Sequence, residues 1–136
     1  MAEHPGYELK DAVALFVQQT TIINNLWTVY VVATFAIAGY GVSAGPQLTK
    51  SVAVMVTVGF WAFTLGHGSL LFQALSINQK LMSEISSTLL TTDPSFRFRS
   101  SLDYLSKTAN LPLVSMAIHL LIDVCATTAL WTRVNY

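Results

Sequence analysis

The sequence predicts an all-α integral membrane protein with three transmembrane helices, the first two a long antiparallel hairpin extending into the cytoplasm. Three observations carry this. Hydrophobic residues make up 53% of the 136 residues and charged residues only 10%, where a soluble domain carries about 25% charged. No Lys, Arg, Asp or Glu lies between Asp11 and Lys50, and none lies from Ser51 to Gln79; each span exceeds the ~20 residues that cross a bilayer as a helix. A third apolar stretch, 111–131, holds its only ionisable groups, His119 and Asp123, near its middle.

Composition also excludes. Lys and Arg total 7 and Asp and Glu total 7, so neither net charge nor a basic patch with interleaved aromatics points to nucleic acid. The one cysteine, Cys125, rules out an intramolecular disulfide and reads as a small packing residue. The N-terminus lacks the basic and apolar regions of a signal peptide, so insertion is expected from the first membrane helix itself. The chain is read as one helical membrane domain, 1–136.

The first helix is expected to begin near Tyr7 or Glu8. Leu9, Val13, Phe16, Thr20, Ile23, Trp27, Tyr30 and Thr34 follow at steps of 4 and 3, a heptad-like seam. Its membrane part is 26–45; Trp27, Tyr30 and Tyr40 suit interfacial aromatic belts. Gly45-Pro46 ends it, with Pro46 placed in the first turn of the next helix. Gly41 and Gly45 match G-x-x-x-G but sit at a helix end, which favours turn chemistry.

The second membrane helix is 51–75. Gly59, Ala62, Gly66 and Gly68 are expected to admit close helix approach. The 3 and 4 stepping continues through Leu75, Asn78, Met82, Ile85 and Leu89, so the helix is extended to about 90 and paired with the N-terminal extension. Thr92-Asp93-Pro94 opens an interfacial helix, 94–107, with Arg97, Arg99 and Lys107 beside aromatic anchors. Asn110 and Pro112 cap and start the third membrane helix, 111–131. Lys10, Lys80, Arg97, Arg99 and Lys107 on one side against Lys50 and Arg133 on the other place the N-terminus in the cytoplasm and the C-terminus outside. A bacterial inner membrane is the expected location.

The chemistry lies in the third helix. Ser115, His119, Asp123 and Thr127 are spaced by four and form one polar stripe. An intramembrane Asp costs about 2.5–3.5 kcal/mol on insertion scales, so such groups face a bundle interior or water. Counting residues from each helix centre puts His67 and His119 at similar depth. Three uses fit. His119 and Asp123 pair structurally, with Thr34, Thr57 or Thr64 as partners; or the stripe forms an ion or proton path, with His67 and His119 as relay groups; or His67 and His119 ligate haem b, with Gly66 and Gly68 making room. No hydrolase, phosphate-loop or metal-ligand motif is present, so no enzyme, no catalytic residue, no metal and no cofactor other than that haem is expected. The expected function is a small subunit that assembles, as a homo-oligomer in the lipid bilayer or with partner membrane subunits, into a pore, channel or permeability-altering complex for ion transport. The alternative is a membrane anchor of a redox or energy-transducing complex.

Overall fold

A computed structural model of the chain describes residues 5–45, 48–92, 97, 99–108 and 111–134, and the side chains of all of these except 5–8, 99, 102, 105 and 108. Four helices follow in order: α1 Pro5–Ala44, α2 Lys50–Thr92, α3 Arg99–Thr108 and α4 Pro112–Trp131. No strand occurs among the described residues. Helices α1, α2 and α4 are each long and apolar enough to span a membrane.

Helix α1 runs unbroken for 40 residues, ~60 Å at 1.5 Å per residue. It stops where Gly45 adopts φ +47°, the left-handed conformation that ends many helices and that glycine takes without a Cβ penalty. The Leu48 N–H then donates to the Gly45 carbonyl at 3.2 Å and closes the turn. Pro46 lies outside the described residues. Helix α2 begins at Lys50, one residue before the expected membrane span but after Pro46, where the helix was expected to open. Thr49 is its N-cap: the hydroxyl accepts from the Val52 N–H at 3.4 Å, a long bond, in the position that satisfies an orphan donor of the first turn.

Helix α2 continues for 43 residues to Thr92, as the periodicity of its second half requires. Residues 93–96, where the interfacial helix was expected to open, lie outside the described residues. Helix α3 covers Arg99–Thr108. Its Lys107 Nζ lies 2.8 Å from Asp103 Oδ2, with side chains 70% and 50% exposed; a solvated i,i+4 pair of this kind adds only about 0.3–0.5 kcal/mol. Helix α4 opens with Pro112 at its first position, where the missing N–H costs nothing. Asn110, its expected cap, lies outside the described residues.

The chain divides into two compact units. One joins 1–24 with 73–112. Of the expected seams, Ile23 on α1 and Leu75, Asn78 and Ile85 on α2 are buried, while Leu9, Phe16, Thr20, Met82 and Leu89 are partly buried, Val13 is exposed, and Ala74 and Ser86 are buried off the seam. Asn78 is fully buried, and neither its amide nitrogen nor its oxygen has a hydrogen-bond partner among the described residues.

The other unit joins 25–72 with 113–136. Its buried positions step by three, four or seven along α2 and α4 and by eleven on α1: Tyr30 and Gly41 on α1, Ala53, Phe60, Thr64, His67 and Leu71 on α2, His119, Asp123, Ala126 and Leu130 on α4. The opposite faces carry exposed Phe35, Val58, Leu65, Leu113 and Leu121. A helix apolar all round, with its polar groups turned in, is the inverse of a water-soluble surface helix. Leu48, Ala53, Leu130 and Val134 form an apolar cluster at one end of the unit.

The close approach in this unit falls at Gly41. A Cβ there would stand 3.2 Å from the Leu130 Cα. The expectation for α2 holds at Gly68, where a Cβ would stand 3.9 Å from His119 Cε1 and Met116 Sδ, and not elsewhere: a Cβ at Gly59 or Gly66 would meet nothing within 4 Å, and Ala62 is exposed. Small residues allow close packing but do not compel it.

Candidate functional site: a buried imidazole–carboxyl chain

Ionisable and hydrogen-bonding side chains from all three helices of the second unit meet in its core. Tyr30 comes from α1, His67 from α2, and His119 and Asp123 from α4. Their exposures are 0% for Tyr30, 6% for His67, 4% for His119 and 2% for Asp123. The four-residue spacing of His119 and Asp123 sets both on one face of α4, and the 3 and 4 seam of α1 brings Tyr30 in line with them.

The bonds form a continuous chain. His67 Nε2 lies 3.0 Å from the Leu26 carbonyl oxygen. His67 Nδ1 lies 3.5 Å from His119 Nε2, a long contact. His119 Nδ1 lies 3.1 Å from Asp123 Oδ2. The Tyr30 hydroxyl lies 2.9 Å from Asp123 Oδ1 and 2.9 Å from the His119 carbonyl oxygen. Its single proton serves one of these acceptors at a time.

Donor and acceptor roles follow from one fixed point. A carbonyl only accepts, so His67 Nε2 carries a hydrogen. Two protons, one in each of the His67–His119 and His119–Asp123 links, then occupy the rest of the chain in three ways. Asp123 is protonated and donates to His119, which donates to His67. Or the shared proton sits on His119 Nδ1, giving imidazolium and carboxylate. Or His119 passes its Nε2 proton to His67 Nδ1, and the positive charge moves to His67. With both of these protons present the cluster is neutral; with only the one between His119 and Asp123 it carries a single negative charge, and the two imidazoles then face each other across the 3.5 Å contact without a hydrogen. The neutral form suits an apolar unit, because a lone buried charge has no compensation.

Ring packing holds the imidazoles in place. The Tyr30 ring stacks on His119 with centroids 3.8 Å apart and planes at 22°. Phe63 stacks on His67 at 5.3 Å and 29°. Trp27 meets Tyr30 edge-on at 5.7 Å and 75°.

The polar stripe of α4 therefore turns inward. His119 and Asp123 are buried, and Ser115 and Thr127 are partly buried beside them. The threonines expected as partners are not the ones used. Thr64 donates to the Trp61 carbonyl, Thr57 accepts from Trp131 Nε1 at 3.0 Å, and the Thr34 hydroxyl lies against that of Tyr30. Tyr30 takes that place. It had read as an interfacial belt residue, although its position on the seam between Trp27 and Thr34 carried the opposite signal. The Leu26 carbonyl left no trace in the sequence, because any helix carbonyl keeps a second lone pair.

Haem does not fit this arrangement. All four ring nitrogens of His67 and His119 are engaged within the chain, and the two imidazoles touch each other directly, leaving no slot for a porphyrin. Of the glycines expected to widen such a slot, Gly66 is exposed, and a Cβ at Gly68 would already stand 3.9 Å from His119 Cε1. Comparison with known protein families, curated proteins and solved structures finds no match to this chain.

Proposed function

We propose that the chain is an integral membrane subunit that moves protons, with His67, His119, Asp123 and Tyr30 as its relay. The observation that carries this is the buried run of contacts from the Leu26 carbonyl through His67, His119 and Asp123 to the Tyr30 hydroxyl. A relay needs groups that gain and lose protons at small energetic difference, and adjacent imidazole and carboxyl groups provide that. In this reading α1, α2 and α4 cross the bilayer. The first two form an antiparallel hairpin with its extension in the cytoplasm, and the C-terminus lies outside, in a bacterial inner membrane. The relay covers about one helical turn, ~5.4 Å along an axis, against a hydrocarbon core of ~30 Å. The rest of the path comes from water or neighbouring copies, so the working form is an oligomer or a larger energy-transducing assembly.

The test is proton flux into liposomes carrying the purified protein and an interior pH-sensitive dye, with valinomycin clamping the potential. Asp123→Asn keeps a hydrogen-bonding side chain but carries no transferable proton. It is expected to lower the flux at least tenfold, and His119→Leu likewise. Wild-type flux no greater than that of protein-free vesicles, or flux unchanged in both variants, rules the relay out.

A further inference from the structure

We infer that His67 and His119, with Met116 as a third ligand, bind one monovalent copper ion, Cu(I), between the facing nitrogens of the two imidazoles. The inference goes beyond the relay reading and stands on geometry and charge that do not depend on it.

The contact between the imidazoles is the weak link of the cluster. His67 Nδ1 and His119 Nε2 stand 3.5 Å apart, beyond the ~2.7–3.2 Å of a good N–H hydrogen bond. A metal ion sits ~2.0–2.1 Å from an imidazole nitrogen, and two such bonds meeting at roughly 110–120° span the observed separation. The ring planes differ by 18° and their centroids are 5.7 Å apart. The two nitrogens therefore face each other edge to edge, and a small tilt of each ring aims both at one ion.

The far side of each ring is already arranged as in metal-binding histidines. A ligating imidazole donates its other N–H to a carbonyl or carboxylate, which fixes the tautomer. His67 Nε2 has the Leu26 carbonyl oxygen at 3.0 Å, and His119 Nδ1 has Asp123 Oδ2 at 3.1 Å. With hydrogens in those two bonds alone, His67 Nδ1 and His119 Nε2 both turn bare lone pairs to the gap. The Tyr30 and Phe63 rings stack on the imidazoles and resist their rotation. The two histidines are 52 residues apart, so no ligand motif marks them in the sequence.

Charge selects the ion. In that protonation state the cluster carries one negative charge, which a monovalent cation cancels and a divalent one inverts. An apolar interior disfavours the residual charge. Imidazole suits copper, and a thioether favours Cu(I). Met116 supplies the thioether: its Sδ and His119 Cε1 would each stand 3.9 Å from a Cβ at Gly68. Cε1 is the ring carbon between the two nitrogens, and a flexible methionine beside it reaches the third position of a trigonal ion. A groove of about 410 Å³ between α2 and α4, with Gly68, Met116, His119 and Asp123 in its lining, gives the ion its way in. A porphyrin finds no slot here, but a bare ion takes the place of one hydrogen. Starting from the neutral cluster, the N–H bond in the gap breaks, two N–Cu bonds form and one proton leaves, so the net charge stays zero and copper keeps its oxidation state.

The experiment uses full-length Cys125→Ala protein in lipid nanodiscs, because the exposed Cys125 thiol would itself bind Cu(I). Cu(I) is added without oxygen, in competition with the chelator bicinchoninate. One equivalent per chain is expected to be retained, with X-ray absorption showing two imidazole nitrogens at ~2 Å and one sulfur. Met116→Leu, of similar volume, is expected to weaken binding at least tenfold and to remove the sulfur. His67→Gln, whose amide can still donate to the Leu26 carbonyl, is expected to weaken it at least a hundredfold. Thermal unfolding shows which variants are folded. No retained copper, a spectrum without two imidazoles, or unchanged affinity in either folded variant overturns the site; the spectrum decides alone if His67→Gln does not fold. Flux into copper-free liposomes tests the relay separately. Copper binding without wild-type flux defeats the relay and leaves this site standing, and flux without copper binding does the reverse.

Discussion

Asp123 accepts hydrogen bonds from two other helix positions while enclosed in an apolar unit, so its substitutions should rank by what they leave unpaired. Asp123→Asn retains hydrogen bonding without charge and should fold. Asp123→Lys places an unpaired ammonium beside His119 and removes the acceptor that Tyr30 uses. Breaking a buried pair from one side is unfavourable by about 3–5 kcal/mol, so the lysine variant should lose most of its monodisperse yield on size exclusion. Equal yields would show that Asp123 is not enclosed. Tyr30→Phe isolates the hydroxyl, since the ring can still stack on His119. Loss of a hydrogen bond to a charged group lowers stability by about 1.5–3 kcal/mol, read as a lower unfolding midpoint in detergent; an unchanged midpoint would mean the hydroxyl contributes nothing. The residues that could be read from sequence were those with a steep penalty for misplacement. His119 and Asp123 announced themselves by charge and spacing, and His67 by depth. Tyr30 was missed because an amphipathic aromatic suits both a headgroup and a buried hydrogen bond.

Helix boundaries were legible wherever an uncharged run met a strong punctuator. Gly45 ends α1 and Pro112 opens α4 as their backbone chemistry dictates. The start of α2 was less legible, because proline competes as a signal with the neighbouring threonine, and Thr49 is the residue that caps. The G-x-x-x-G match divides in function: Gly45 makes the turn, while Gly41 lets α1 approach α4. Gly41→Val should push the two helices apart and destabilise by about 1–3 kcal/mol, the usual penalty of overpacking. Gly59→Val, at a position with nothing within 4 Å, should be neutral or mildly stabilising in the same denaturation assay. Equal loss in both would place a partner on the Gly59 face of α2.

The two units offer contrasting ways of treating enclosed polar groups. In one, imidazoles and a carboxyl satisfy each other through a chain of bonds. In the other, Asn78 is fully buried and its amide finds no partner among the described residues. Replacing an unsatisfied buried polar group with an apolar one of similar volume is neutral or stabilising. Asn78→Leu is therefore expected to raise the thermal midpoint of the purified protein. A fall of several degrees would show that the amide has a partner in the working assembly. Sequence periodicity placed Asn78 on the seam correctly, but a 3 and 4 pattern records only which side a residue takes. It says nothing of what answers its hydrogen bonds, which depends on the rotation of neighbouring helices.

Cys125, the chain's single thiol, is exposed on α4, two positions beyond Asp123. A nitroxide attached there becomes a depth gauge without any prior mutagenesis. Strong paramagnetic broadening by oxygen and little by a nickel chelate would set the middle of α4 among acyl chains. The opposite pattern would set it in an aqueous medium, and a bilayer would no longer be needed to account for the fold.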